Sequence, residues 1–140
     1  MRKSTIYRIY GISLLATSTM LLLFVFLNLH FDGSIWQTMQ QSKSALTAEY
    51  CELDQPAHFF RQTINTYSNL MYFFLGMIVI LIGIKKRKNN QHDNQNPIQQ
   101  FPTISILFAC CLIYLSIASA FFHASLTWMG QRADMNATYS

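Results

Sequence analysis

The sequence predicts an all-α fold, a polytopic membrane helical bundle with three full spans and the start of a fourth. Three observations carry this. Across 140 residues, 51% are hydrophobic and only 11% charged, far from the roughly 25% charged residues of an average soluble domain. The apolar residues fall in blocks long enough to cross a bilayer, which takes about 20 helical residues. The basic residues gather at the ends of those blocks, so the net charge of +4 reads as membrane topology rather than as nucleic-acid binding.

The first element, within residues 1–30, is a run without charge over residues 9–31 behind Arg2, Lys3 and Arg8. A secretory signal has a shorter apolar core and a small-x-small cleavage site. The end of this run, Leu27-Asn28-Leu29-His30-Phe31, offers no such site. It is therefore read as an uncleaved signal-anchor span, with a cleaved signal as the alternative. Residues 31–61 follow as a polar, acidic connection. Asp32-Gly33-Ser34 is a turn signal, residues 37–44 suit a short helix, and Trp36 suits a membrane interface, where Trp is enriched.

The second span occupies residues 62–84. It opens on Asn65, Thr66, Ser68 and Asn69, becomes wholly apolar from Leu70, and stops at Lys85-Lys86-Arg87-Lys88. Residues 89–100 form a polar, Asn- and Gln-rich loop. The third span, near residues 104–126, holds Cys110 and Cys111, for which packing between helices is the expected role. With Cys51, three cysteines make no disulfide framework.

Charge fixes an orientation. Seven of the ten Lys and Arg residues lie at residues 2, 3, 8 and 85–88, on one side if all three runs cross. The positive-inside rule puts the N-terminus and the Lys85 loop in the cytoplasm and the loop containing Glu49 outside.

Polar residues inside an apolar span are costly and mark function by default. Ser119 and His123 are four apart, on one helix face. Asp134 lies about 16 Å further along a continuous helix, too far to share their site. Gly130 followed by Gln131-Arg132 suits a surface turn, and a reversal there brings Asp134 back from a fourth helix. A hydroxyl, an imidazole and a carboxylate then meet, groups suited to metal-assisted hydrolysis, although a zinc site takes about three protein ligands. The residues alone also allow a plain polar fringe at a helix end, in which each group satisfies a neighbour.

With these clusters in view, the chain resembles the alkaline ceramidase family of seven-helix membrane hydrolases. The resemblance is carried by Tyr50-Cys51-Glu52, by the stretch Arg61-Gln62-Thr63-Ile64-Asn65-Thr66-Tyr67-Ser68-Asn69-Leu70, and by Ser119-x-x-x-His123 with Asp134 beyond. Thr63 stands where the family pattern has Pro. The resemblance implies that residues 62–140 are the N-terminal part of a ceramidase-like membrane domain. It implies His123 as a zinc ligand, Asp134 as the carboxylate acting on a metal-bound water, and Ser119 as the hydroxyl beside the developing oxyanion. Zinc would lower the pKa of its water and polarise an amide carbonyl, cleaving a lipid amide within the membrane to a sphingoid base and a fatty acid. It further implies a calcium site from Glu49, the Tyr50 carbonyl, Glu52, Asp54 and Gln62, where a solvated acidic loop is the alternative. Calcium takes six to eight oxygens, and a neutral Gln62 stands where the family has Glu. The family's other two zinc ligands come from a His-x-x-x-His in its last span, which His30, His58 and His92 do not supply. The expectation is therefore an incomplete seven-helix member. Asn136-Ala137-Thr138 also fits a glycosylation acceptor.

Overall fold

Blocks of apolar residues with no internal partner become helices when each must satisfy its own backbone away from water. The computed structural model describes residues 3–46, 52–89 and 101–140. Five α-helices occur among them: α1 (Lys3–His30), α2 (Thr63–Ser68), α3 (Leu70–Asn89), α4 (Pro102–Ser125) and α5 (Trp128–Thr138). Three segments, Lys3–His30, Thr63–Lys88 and Pro102–Ser125, are long and apolar enough to cross a membrane. That is consistent with a membrane protein, as the composition predicts.

Helix α3 lies closest to α4 because two glycines seven apart share one face. A Cβ on Gly76 would stand 2.7 Å from Ile113 Cγ1, and one on Gly83 would stand 2.7 Å from Ile106 Cγ1. Small residues let helix backbones approach where lipid offers no hydrophobic drive, and fully buried Ala109 serves the same seam from α4. Helix α1 packs on α3. Its Ile9 and Ser13 are buried, while Tyr7, Leu15, Leu22 and Leu29 stay exposed, as suits a helix that meets lipid over most of its surface.

Residues 31–46 and 52–62 close one end of the bundle, opposite Lys85–Lys88 at the end of α3. The buried core sits at this loop end. Trp36, Phe59, Phe60 and Ala124 form it, with Phe24, Leu27, Tyr67 and Phe121 packed around. The Trp36 indole N–H donates to the Phe59 carbonyl at 2.8 Å. Trp36 is thus a core residue of the loop. The Asp32 turn forms as its sequence predicts: its carboxylate caps a 3-10 turn over Gly33–Trp36 by accepting from Ser34 N–H at 3.0 Å. The Ser34 hydroxyl also donates to this carboxylate, and these bonds hold the Asp32 carboxyl below its usual range.

Residues 37–44 do not form the expected helix. Their backbone is instead engaged with the α4–α5 turn. Ser42 N–H donates to the Leu126 carbonyl at 3.0 Å, and the Gln40 carbonyl accepts from Trp128 N–H at 2.8 Å. A bridge between Gln41 and Thr127 lies between these bonds. A second 3-10 turn follows at Ser44–Leu46.

The reversal that starts the fourth helix also differs in place. Leu126 turns the chain with φ 51°, a left-handed conformation that follows many helix C-termini. Thr127 then caps α5 by accepting from Gly130 N–H at 3.1 Å. Gly130 is therefore inside the first turn of α5, and Gln131-Arg132 is helical rather than a surface turn. What Gly130 provides is close approach: a Cβ there would come within 2.9 Å of Phe122 Cα.

Candidate functional site

The loop end of α4 is held by the chain that precedes α2. The last carbonyls of a helix have no partner within it. Here Arg61 N–H donates to the Ala124 carbonyl at 3.1 Å and Gln62 N–H to the His123 carbonyl at 3.0 Å. Arg61 is itself buried, and its guanidinium pairs with the Asp54 carboxylate through Nε at 2.7 Å and through Nη2. The Gln41 amide, with its oxygen turned to the guanidinium, accepts from Nη1 and Nη2 at 2.9 and 3.1 Å.

This anchoring sets Gln62 against the His123 ring. Gln62 Oε1 lies 2.6 Å from His123 Nδ1, and Asn65 Nδ2 donates to the same oxygen at 3.4 Å. On its other side, Gln62 Nε2 donates to the Glu52 backbone carbonyl at 3.2 Å. The Glu52 carboxylate accepts from the N–H groups of Ile64 and Asn65, at 2.7 and 2.8 Å. A carboxylate at the first turn of a helix meets both unpaired N–H groups and the positive end of the dipole.

Along α4, Ser116, Ser119 and His123 follow one another at helical spacing on one side. Ser116 donates its hydroxyl to the Asn69 carbonyl at 2.7 Å, an acceptor shared with Phe73 N–H at 3.3 Å. It thereby marks the α2–α3 junction as what this side of α4 faces. Ser119, half-buried between Ser116 and His123, has no hydrogen-bond partner among the described residues.

Helix α5 returns Asp134 to the same region. Gly130 packs against Phe122, and Ala137 joins Leu112 and Leu115 along one groove. Asp134, between these contacts, is level with the part of α4 that carries Ser119. It is half-buried, and its carboxylate lies close enough to act electrostatically on the His123 ring, as does Glu52. The reversal expected at Gly130 therefore comes four residues earlier, at Leu126, and it runs α5 back along α4 with Asp134 within electrostatic reach of the His123 ring.

The described members of the expected calcium set do not form one cage. Asp54 pairs with Arg61, the Glu52 carboxylate caps α2, and the Gln62 side-chain oxygen is bonded to His123. Glu49 and Tyr50 lie outside the described residues. Among the described residues, no group of three or more His, Cys, Asp and Glu side chains could hold a metal ion.

Two residues have structural parts that spacing does not reveal. Arg61 is a buried anchor and Gln62 is the partner of His123. The signal in the sequence was their position directly before the polar start of the second apolar run, at Thr63. The bonds themselves depend on where the 52–62 segment lands. No family model, curated protein or solved structure matches this chain.

Proposed function

We propose that this chain carries the Ser119, His123 and Asp134 part of a membrane-embedded hydrolase of the ceramidase type, which cleaves the amide bond of ceramide-like lipids to a sphingoid base and a fatty acid. The observation that supports the reading most is the α4–α5 reversal. It runs α5 back along the helix that carries Ser119 and His123, with the Asp134 carboxylate within electrostatic reach of the imidazole. In this reading Asp134 takes a proton from the water attacking the amide carbonyl. Ser119 donates a hydrogen bond to the oxyanion that develops, and Asp134 returns the proton to the nitrogen as the C–N bond breaks. General acid–base help of this kind is worth roughly 10²–10⁴-fold.

The resemblance implies zinc, and the donor set tests it. A catalytic zinc takes three protein ligands, in sites with His and carboxylate donors. Among the described residues His123 is not joined by two further His, Cys, Asp or Glu side chains, so they do not complete such a site. A zinc-dependent reaction needs two further ligands of the His-x-x-x-His kind, which these 140 residues do not contain. The Lys and Arg distribution favours a cytoplasmic position for the basic end and puts the Ser119 region in the opposite half of the membrane.

A second reading is a helix-packing membrane subunit without catalysis. It is favoured by the mutual bonding of His123, Gln62 and Asn65, the pattern expected when polar side chains serve to hold helices together. One experiment separates the two. Membranes carrying the chain are incubated with a ceramide labelled in its acyl chain, with and without a co-expressed segment supplying His-x-x-x-His and with added zinc. The hydrolase reading predicts labelled fatty acid with the added segment, and its loss in His123→Ala and Asp134→Asn. No release in either arm would overturn it.

A further inference from the structure

We infer that Gln62 is a positioning residue for His123, fixing a proton on Nδ1 so that chemistry at this ring falls to Nε2. The inference rests on the reading of His123 as a working residue, but its geometry stands by itself. A backbone carbonyl can only accept, so the Gln62 atom 3.2 Å from the Glu52 carbonyl must be the amide nitrogen. That settles which end of the amide faces His123. The end left to face Nδ1 at 2.6 Å is the oxygen, which also only accepts, and Nδ1 must therefore donate. In the neutral ring the lone pair then resides on Nε2.

The arrangement is held from both sides. Gln62 meets residue 123 twice, by side chain and by its backbone N–H to the His123 carbonyl. Glu52, which orients the amide, is tied by its carboxylate to the first turn of α2. The relay runs from the α2 N-terminus through Glu52 and Gln62 to the imidazole, so the loop before α2 sets the state of a residue on α4. A histidine that works through one nitrogen, as base or as metal ligand, commonly has its other N–H held by a carbonyl or carboxylate in this way. Gln62 is then needed for its acceptor oxygen and not as a cation ligand.

The test reads the ring directly. The full chain, labelled with ¹⁵N-histidine, is examined by NMR in detergent at a pH where the ring is neutral. His123→Ala identifies which signals belong to residue 123. The wild-type chain is expected to show the Nδ1–H tautomer. Gln62→Met, similar in size but without an acceptor oxygen, is expected to lose that preference. Gln62→Glu, which keeps an acceptor, is expected to retain a proton on Nδ1. Where hydrolysis is measured, Gln62→Met should lower it roughly 10–100-fold, as loss of such a partner does elsewhere, with partial recovery in Gln62→Glu. A wild-type ring with an unprotonated Nδ1 overturns the inference without need of any variant, and so does a Gln62→Met chain that keeps the Nδ1–H tautomer. A chain that shows the expected tautomers but no hydrolysis upholds the positioning role and sinks the hydrolase reading.

Discussion

Leu126 and Gly130 show how the turn beside the site is made. Leu126 is fully buried and left-handed, a conformation that costs an L-residue about 1–2 kcal/mol. Its burial, worth about 1.5–3 kcal/mol, offsets that cost. Gly130 stands against Phe122 Cα, a backbone atom that cannot swing aside. Gly130→Ala should therefore destabilise the protein by about 1–3 kcal/mol, the usual range for overpacking, in spite of alanine's better helix propensity. A thermal melt in detergent checks this, and an unchanged or raised midpoint would contradict the close packing. Gly130 was legible in the sequence as a special position but not for what it does there. A missing Cβ serves a chain break and a close approach equally well, and only the Thr127 cap shows that the helix has already begun. Ser119 and His123 stand out in the sequence by helical spacing and by their cost in lipid, whereas the position of Asp134 depends on where the chain reverses. The role of Gln62 was not legible, since a neutral amide fits any polar environment until its two partners are known.

At the scale of elements, residues 31–46 and 52–62 and the end of α4 behave as one unit. Arg61 joins them, buried under Asp54 and Gln41, while its N–H satisfies the Ala124 carbonyl. Removing one partner of a buried pair strands the other, but the Asp54 side chain is 35% exposed and water screens part of the effect. Asp54→Asn is accordingly expected to cost about 1–2 kcal/mol. Adding Arg61→Met should cost less than the sum of the two single changes, since it removes the stranded charge, with a coupling of about 0.5–3 kcal/mol. Denaturation of the four chains measures this cycle, and strict additivity would show that the pair does not hold the loop. The three long helices were readable from their apolar runs. The pairing of residues 40–42 with the α4–α5 turn was not. It is made of backbone bonds between segments more than 80 residues apart, and neither segment has a pattern that announces it.

For the molecule as a whole, the fold puts the basic residues of α1 and α3 at one end and the polar site at the other. In sealed vesicles of known orientation, a reporter inserted after Lys88 should be reached from the cytoplasmic side and one inserted at Lys43 from the opposite side. Reversed access would contradict the orientation. The hydrolase reading of this chain depends on α5 bringing the Asp134 face, and not its neighbour's, toward His123. With Cys51, Cys110 and Cys111 replaced by Ala, the pair His123→Cys and Asp134→Cys can be challenged with a short bifunctional thiol reagent in native membranes. The pair His123→Cys and Met135→Cys is the control, since Met135 is exposed. The account predicts efficient cross-linking of residue 134 and little of residue 135; cross-linking of residue 135 alone would contradict it.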